Sequence, residues 1–92
     1  MSLLFNWDPN KAKSNLDNHN ISFYEASSVF DDLLGQIFYD PEHSNNEERF
    51  IIIGNSKYNN LLFVSFTERK DLIRIISARI ATKKERKNHE EK

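Results

Sequence analysis

Cysteine is absent from the sequence, which excludes disulfides and thiolate metal sites and makes a reducing compartment harmless to the chain. Glycine is nearly absent: Gly35 and Gly54 are too few for a phosphate-cradling loop or a dinucleotide fingerprint, and no nucleophilic triad pattern occurs. No apolar run exceeds five residues, far short of the ~20 that a membrane helix needs. The opening residues carry no basic segment, and Asn6 and Asp8 interrupt their apolar stretch, so no signal peptide is expected. Together these absences describe a soluble chain, expected in the cytoplasm.

What is present suffices for a core. Apolar residues make up 38% of the chain, and seven Phe, three Tyr and one Trp supply large side chains. Residues 1–92 read as one domain, modestly stable at this size, with residues 88–92 expected to fray. The net charge of −1 is unevenly spread. Residues 69–92 hold nine bases and four acids, a net +5, whereas residues 1–68 hold four bases and ten acids, a net −6. A basic last quarter can draw a polyanion to one face, or it can be a solvated, mixed-charge helix.

Periodicity and turn residues predict strand, helix, helix, four strands, helix. Residues 3–7 alternate as a short strand. Asp8 then caps a helix with Pro9 at its first position, and Ala12, Leu16 and His19 form its stripe. Asn18 or Asn20 stops it. Ser22-Phe23-Tyr24-Glu25 is the capping-box pattern of a second helix with Phe23, Ala26, Ser27 and Phe30 inward, ending near Asp31 and Asp32 or before Gly35. From Gln36 the period becomes two. Strands are predicted at 36–40, 49–54, 61–67 and 73–78, separated by a polar loop at 41–47, a Gly/Asn turn and the charged turn Glu68-Arg69-Lys70-Asp71. Thr82-Lys83-Lys84-Glu85 opens a last helix with a second capping box. Four late strands on short turns imply an antiparallel sheet covered on one face by the two early helices, an α+β fold. The run Leu61-Leu62-Phe63-Val64 suits a central strand buried on both sides.

Candidate chemistry is confined to a few residues. His19 is either a half-buried group at a helix C-terminus or a general acid or base at the core edge. His43 in the polar loop and His89 near the end read as inert. Asp40, Glu42, His43, Glu47 and Glu48 lie close in sequence, but their spacing matches no zinc or calcium pattern, so no metal or cofactor is expected. Arg49, Arg69, Arg74 and Arg79 are more suggestive. Guanidinium groups on a sheet donate in pairs to phosphate and stabilise added charge on phosphorus during transfer. Alternatively they pair with Glu48, Glu68 and Asp71 at strand ends. Arg74 and Arg79 are five apart, so an unbroken strand turns them to opposite faces. A bulge, or a strand ending before Arg79, would bring both to one site.

In order along the chain, Phe5-Asn6-Trp7-Asp8-Pro9-Asn10-Lys11-Ala12, Asn15, His19, Ser22-Phe23-Tyr24-Glu25-Ala26 and Val29-Phe30-Asp31 resemble the opening of the BrnT toxin family. Asp40, His43, Glu48-Arg49, Gly54-Asn55-Ser56, Thr67-Glu68-Arg69 and Ile73-Arg74-Ile75-Ile76-Ser77-Ala78-Arg79 continue that pattern, so the resemblance spans roughly residues 5–88. It implies a RelE-like fold, in agreement with the element order. It also implies the toxin of a type II toxin–antitoxin pair, a ribonuclease, ribosome-independent or ribosome-associated, that inhibits translation and growth. The implied partners are RNA, a BrnA-type ribbon-helix-helix antitoxin and, through the antitoxin, promoter DNA; no membrane is implied. The family usually has Gly where this chain has Asn20, and often an aromatic residue near the end, where this chain has His89. The second departure removes support for a catalytic C-terminal Tyr.

The resemblance adds weight to His19 and the arginines. In metal-free RNA cleavage a base takes the 2′-OH proton, that oxygen attacks phosphorus, an acid protonates the departing 5′-oxygen, and cations hold the pentacoordinate charge. His19 or Glu48 is the expected base or acid, with Arg49, Arg69 and Arg79 on the phosphate. Lys11, Lys83, Lys84 and Arg86 are expected to steer the RNA backbone in a salt-sensitive way, with Arg74 serving either role and Trp7 in the core. The competing reading is a non-catalytic module that binds nucleic acid or protein, or a degenerate toxin. The lack of a recognition-helix pattern speaks against a DNA reader.

Overall fold

Five strands make a single sheet in the computed structural model, which describes residues 3–91. They are β1 (Leu4–Asn6), β2 (Gln36–Tyr39), β3 (Arg49–Asn55), β4 (Leu61–Arg69) and β5 (Leu72–Ile80), in spatial order β1-β5-β4-β3-β2. Helices α1 (Pro9–His19) and α2 (Phe23–Ser28) precede β2, and α3 (Lys83–Glu90) follows β5. The class and element order agree with the sequence reading. β4 is central because its side chains are apolar on both faces: Leu61, Leu62, Val64 and Phe66 are all buried. Strands β2 to β5 pair antiparallel, as short turns require. β1 departs from the expected antiparallel sheet and pairs parallel with β5, Phe5 opposite Ile73. No hairpin joins β1 to its neighbour, so turn geometry does not set its direction, and the sheet is mixed.

α1 begins as its sequence dictates. Asp8 Oδ1 accepts from the Asn10 N–H at 2.8 Å, with Pro9 in the first turn. It ends at Asn20, whose φ of 57° and N–H to Leu16 O bond of 2.9 Å make the left-handed cap that Gly usually supplies. The predicted stripe is not the buried one, because Leu16 and His19 are exposed. Asn15 points inward instead. Its Nδ2 donates to Ile21 O at 2.9 Å and Ala78 O at 2.8 Å, and its Oδ1 accepts from Ala78 N at 3.0 Å. One side chain thus fastens α1 to β5.

α2 is shorter than predicted and passes into a 3₁₀ turn over Val29–Asp31. Ser22 Oγ caps it by accepting from Glu25 N at 2.9 Å, but the Glu25 side chain does not complete the box. That carboxylate is buried and accepts from Ser56 Oγ at 2.6 Å and Asn60 Nδ2 at 2.8 Å, tying α2 to the β3–β4 turn. The second predicted box, on Thr82 and Glu85, is complete. α1 and α2 pack on β5 over a core that includes Phe23, Ala26, Val29, Leu62, Val64, Phe66 and Ala78. Trp7 joins it edge-on to Phe23, as expected. Ile53, Leu61 and Ala81 form a smaller cluster with Ile51 and Phe63.

Gly54 lies where the end of α2 meets β3. A Cβ there would stand 3.0 Å from Val29 Cγ1 and 3.1 Å from Asp32 Oδ2. Gly54→Ala is therefore expected to cost about 1–3 kcal/mol, read as a lower urea midpoint at unchanged slope. An unchanged midpoint would contradict this packing. Leu33 and Leu34, beside the edge strand, are 99% and 76% exposed. Among the described residues no helix is long and apolar enough to cross a membrane.

Candidate active site

α1 and α2 occupy one face of the sheet, and the two-residue period sends the arginines to the other. Strand register arranges that face in rows. Arg49, Thr67 and Arg74 stand side by side on β3, β4 and β5; Ile51, Ser65 and Ser77 form the next row, and Ile53, Phe63 and Arg79 the third. The register shifts between Ser65 and Phe66: Ser65 faces Ser77 but Phe66 faces Ile75, leaving Ile76 as an extra residue. This bulge undoes the parity of a five-residue spacing. Arg74 and Arg79 face Thr67 and Phe63, four apart on β4, and so share one face.

A cleft of about 400 Å³ opens on this face, lined by Arg49, Arg79, Ser65, Ser77, Ile51, Ile76 and Phe63 and by Asp40, Glu42 and His43 from the β2–β3 loop. The loop is shaped by its own bonds. Asp40 N donates to Arg49 O at 2.9 Å, Ser44 Oγ donates to Asp40 O at 2.6 Å, and Arg49 N donates to Ser44 Oγ at 2.9 Å. A 3₁₀ turn over Pro41–His43 then brings His43 Nδ1 within 2.9 Å of Asp40 Oδ2. A carboxylate accepts, so Nδ1 is the donor, and the second ring nitrogen, Nε2, is left for another partner. Nε2 has no hydrogen-bond partner among the described residues.

The four arginines differ in what holds them. Arg79 donates to both oxygens of Glu85, at 2.9 and 3.0 Å, and its Cζ lies 4.0 Å from the Phe63 ring centroid. Arg69 donates to both oxygens of Glu47 at 3.2 Å. Arg74 has no hydrogen-bond or ion-pair partner among the described residues, and Arg49 Nε is buried without one. Two guanidinium groups are thus engaged by carboxylates and two have donors to spare.

The family model described as the ribonuclease toxin, BrnT, of type II toxin–antitoxin systems matches residues 7–85. The chain belongs to that family. Its fold is similar to the crystal structure of the Brucella abortus ribonuclease toxin, BrnT, with a TM-score of 0.69 at 20% identity, covering 89% of this chain and 100% of that one. No curated protein matches.

The BrnT-family sheet gathers some of the predicted site residues and separates others. Arg49 and Arg79 line the cleft, and Arg74 shares the row of Arg49 and the face of both. Arg69 lies beyond Arg74, bound to Glu47, whose carboxylate also feels Arg49 and Arg74. Glu48 does not line the cleft. It is exposed in the segment just before β3, and its backbone oxygen accepts from Thr67 Oγ1 at 2.7 Å. His19 does not reach the arginines either, because α1 packs through Ala12 and Asn15 against the opposite face. Lys11 is exposed on that same helix. Lys83 and Lys84 are exposed in the first turn of α3, near Arg79 in sequence, and Arg86 stands 3.9 Å from Glu90. The pairing that sequence reasoning missed is Asp40 with His43. Its signal was local: Pro41 favours a tight turn that puts residues three apart together.

Three carboxylates of this BrnT chain sit below their ordinary values. The Asn55 N–H bond holds Asp32 below 3.8, the Arg69 bonds hold Glu47 below 4.5, and the Arg79 bonds hold Glu85 below 4.5. A lowered native value stabilises the fold above the unfolded value and is lost as pH falls through the native one. The urea midpoint is thus expected to hold from neutrality down to about pH 5 and to fall below it. A midpoint that rises between pH 5 and pH 3 would contradict the assignment.

Proposed function

We propose that this chain is an endoribonuclease toxin that cleaves RNA without a metal in the arginine cleft, with His43 as the proton-transfer group. The observation that carries the reading is the bulge at Ile76, which aligns Arg74 and Arg79 on the face that holds Arg49 and, at its edge, the His43–Asp40 pair. Arg49 and Arg79 hold the scissile phosphate and the charge that builds on it. His43 Nε2 takes the 2′-OH proton, and the O2′ so formed attacks phosphorus. The bond to the 5′-oxygen breaks, and the imidazolium returns the proton to it, leaving a 2′,3′-cyclic phosphate and a 5′-hydroxyl. Asp40 orients the ring through its bond to Nδ1. His43 replaces His19 and Glu48 here because it lines the cleft and they do not.

Arg74, Arg69, Lys83, Lys84 and Arg86 form a basic margin that draws the RNA backbone, with affinity falling as salt rises. Arg79 meets its phosphate by exchanging Glu85, a trade of one bidentate acceptor for another. The antitoxin that the family implies is of the BrnA ribbon-helix-helix type and carries the complex to promoter DNA; the exposed Leu33 and Leu34 support a protein partner. The toxin acts in the cytoplasm, where translation is the process it stops.

Induced expression in a bacterial host tests the reading. Wild type should arrest growth with loss of RNA, and Arg79→Ala should cut cleavage by roughly 10²–10³-fold while remaining soluble. A folded Arg79→Ala protein that is fully toxic would remove the arginine assignment. Intact RNA in cells full of soluble wild type would favour the non-catalytic module.

A further inference from the structure

A second cleft, of about 370 Å³, lies on the same side of the sheet, between β2, β3 and α3. Its apolar walls are Phe38 and Ile53, and its polar groups are the amides of Gln36 and Asn88, the His89 ring and the carboxylates of Glu85 and Glu91. It adjoins the arginine cleft through shared rows. Phe38 stands opposite Ile51, which lines the first cleft, and Gln36 heads the row that runs through Ile53 and Phe63 to Arg79. Gln36 and Arg79 are three strand spacings apart, about 14 Å. Glu85 divides the two clefts, lining one while gripping the arginine of the other.

We infer that this second cleft is a nucleobase subsite for the RNA whose phosphate sits at Arg79, which rests on the proposed cleavage reaction. The two carboxylates repel phosphate, so the cleft takes the uncharged end of a nucleotide. A base has flat apolar faces and a hydrogen-bonding edge, matching apolar walls with amides at the rim. Carboxylates accept, so a base offering adjacent N–H donors is favoured, and guanine presents two such groups on its Watson–Crick edge. The His89 Nδ1 to Gln36 Oε1 contact of 3.3 Å bridges the rim and opens as the base enters.

The test titrates the full-length chain with inorganic phosphate, 3′-GMP, 3′-UMP and guanosine, following backbone amide shifts by NMR. 3′-GMP should bind roughly tenfold more tightly than phosphate, move the amides of Gln36, Phe38 and Asn88, and outcompete 3′-UMP. Guanosine should move the same amides more weakly. Because it lacks phosphate, that arm reads the base subsite even if the arginine cleft proves not to bind phosphate or cut RNA. Gln36→Ala with Glu91→Gln should bring 3′-GMP down to the affinity of 3′-UMP. Guanosine and 3′-GMP leaving these amides unmoved would overturn the subsite, as would equal binding of 3′-GMP and 3′-UMP by wild type.

Discussion

His43→Ala should slow RNA cleavage by roughly 10²–10⁴-fold, the range a positioned general base supplies, without loss of stability. The side chain is exposed and its hydrogen bond is to the neighbouring Asp40, so little packing goes with it. Asp40→Asn should have a smaller effect of the same sign, because the ring loses the carboxylate that fixes its tautomer but keeps its place. His19→Ala serves as the comparison on the opposite face of the sheet. Rates measured on a purified RNA oligonucleotide separate the two histidines. Loss of cleavage with His19→Ala and retention with His43→Ala would return the proton-transfer role to α1 and leave the loop pair without one.

The largest stability effect is expected at Asn15. Its amide satisfies the N–H and C=O of Ala78 and the C=O of Ile21, and the residue is only 6% exposed. Truncation to Ala leaves three buried backbone groups without partners, at about 1–3 kcal/mol each. Water entering the vacated space offsets part of that, so Asn15→Ala should lose on the order of 3–5 kcal/mol. Much of the stability of a chain this short would go with it. Equilibrium urea unfolding reads the change directly. A loss under 1 kcal/mol would mean that α1 is held to β5 by Ala12 and its neighbours rather than by the Asn15 clamp.

The parts of this molecule that the sequence made legible are those settled within a few residues. Asp8 with Pro9, Asn20, and Thr82 with Glu85 each find their partner inside one turn, so the pattern and the bond coincide. Asn15 and Glu25 escape the same logic. Their partners, Ala78 and Ser56, are 63 and 31 residues away, and nothing in the helical period distinguishes an inward Asn from a solvated one. The stripe of Ala12, Leu16 and His19 was misled for that reason. The Ser22 box failed halfway because a buried acceptor network claimed Glu25 first. Likewise the parallel pairing of β1 depends on where the completed sheet offers an edge, which no local signal encodes.

The site divides in the same manner. Four arginines in the strand-rich half were visible as phosphate donors, and the sequence posed the question of whether Arg74 and Arg79 could share a face. The answer needed the register of β4 against β5, because the extra residue at Ile76 appears only in the pairing. Glu47 rather than Glu48 is the acid among the arginines, a one-residue difference fixed by where β3 begins. From the sequence His43 reads as inert in a polar loop, because its approach to Asp40 depends on the bonds of Ser44 and Arg49 that give that loop its shape.

The most direct test is cleavage of a short RNA by the purified chain in the presence of EDTA, with products identified by mass. Cleavage should persist under chelation, leave a 2′,3′-cyclic phosphate and a 5′-hydroxyl, and disappear in Arg49→Ala, Arg79→Ala protein that remains folded. Cleavage abolished by EDTA, or retained in full by the folded double variant, would contradict a metal-free reaction at the arginine cleft.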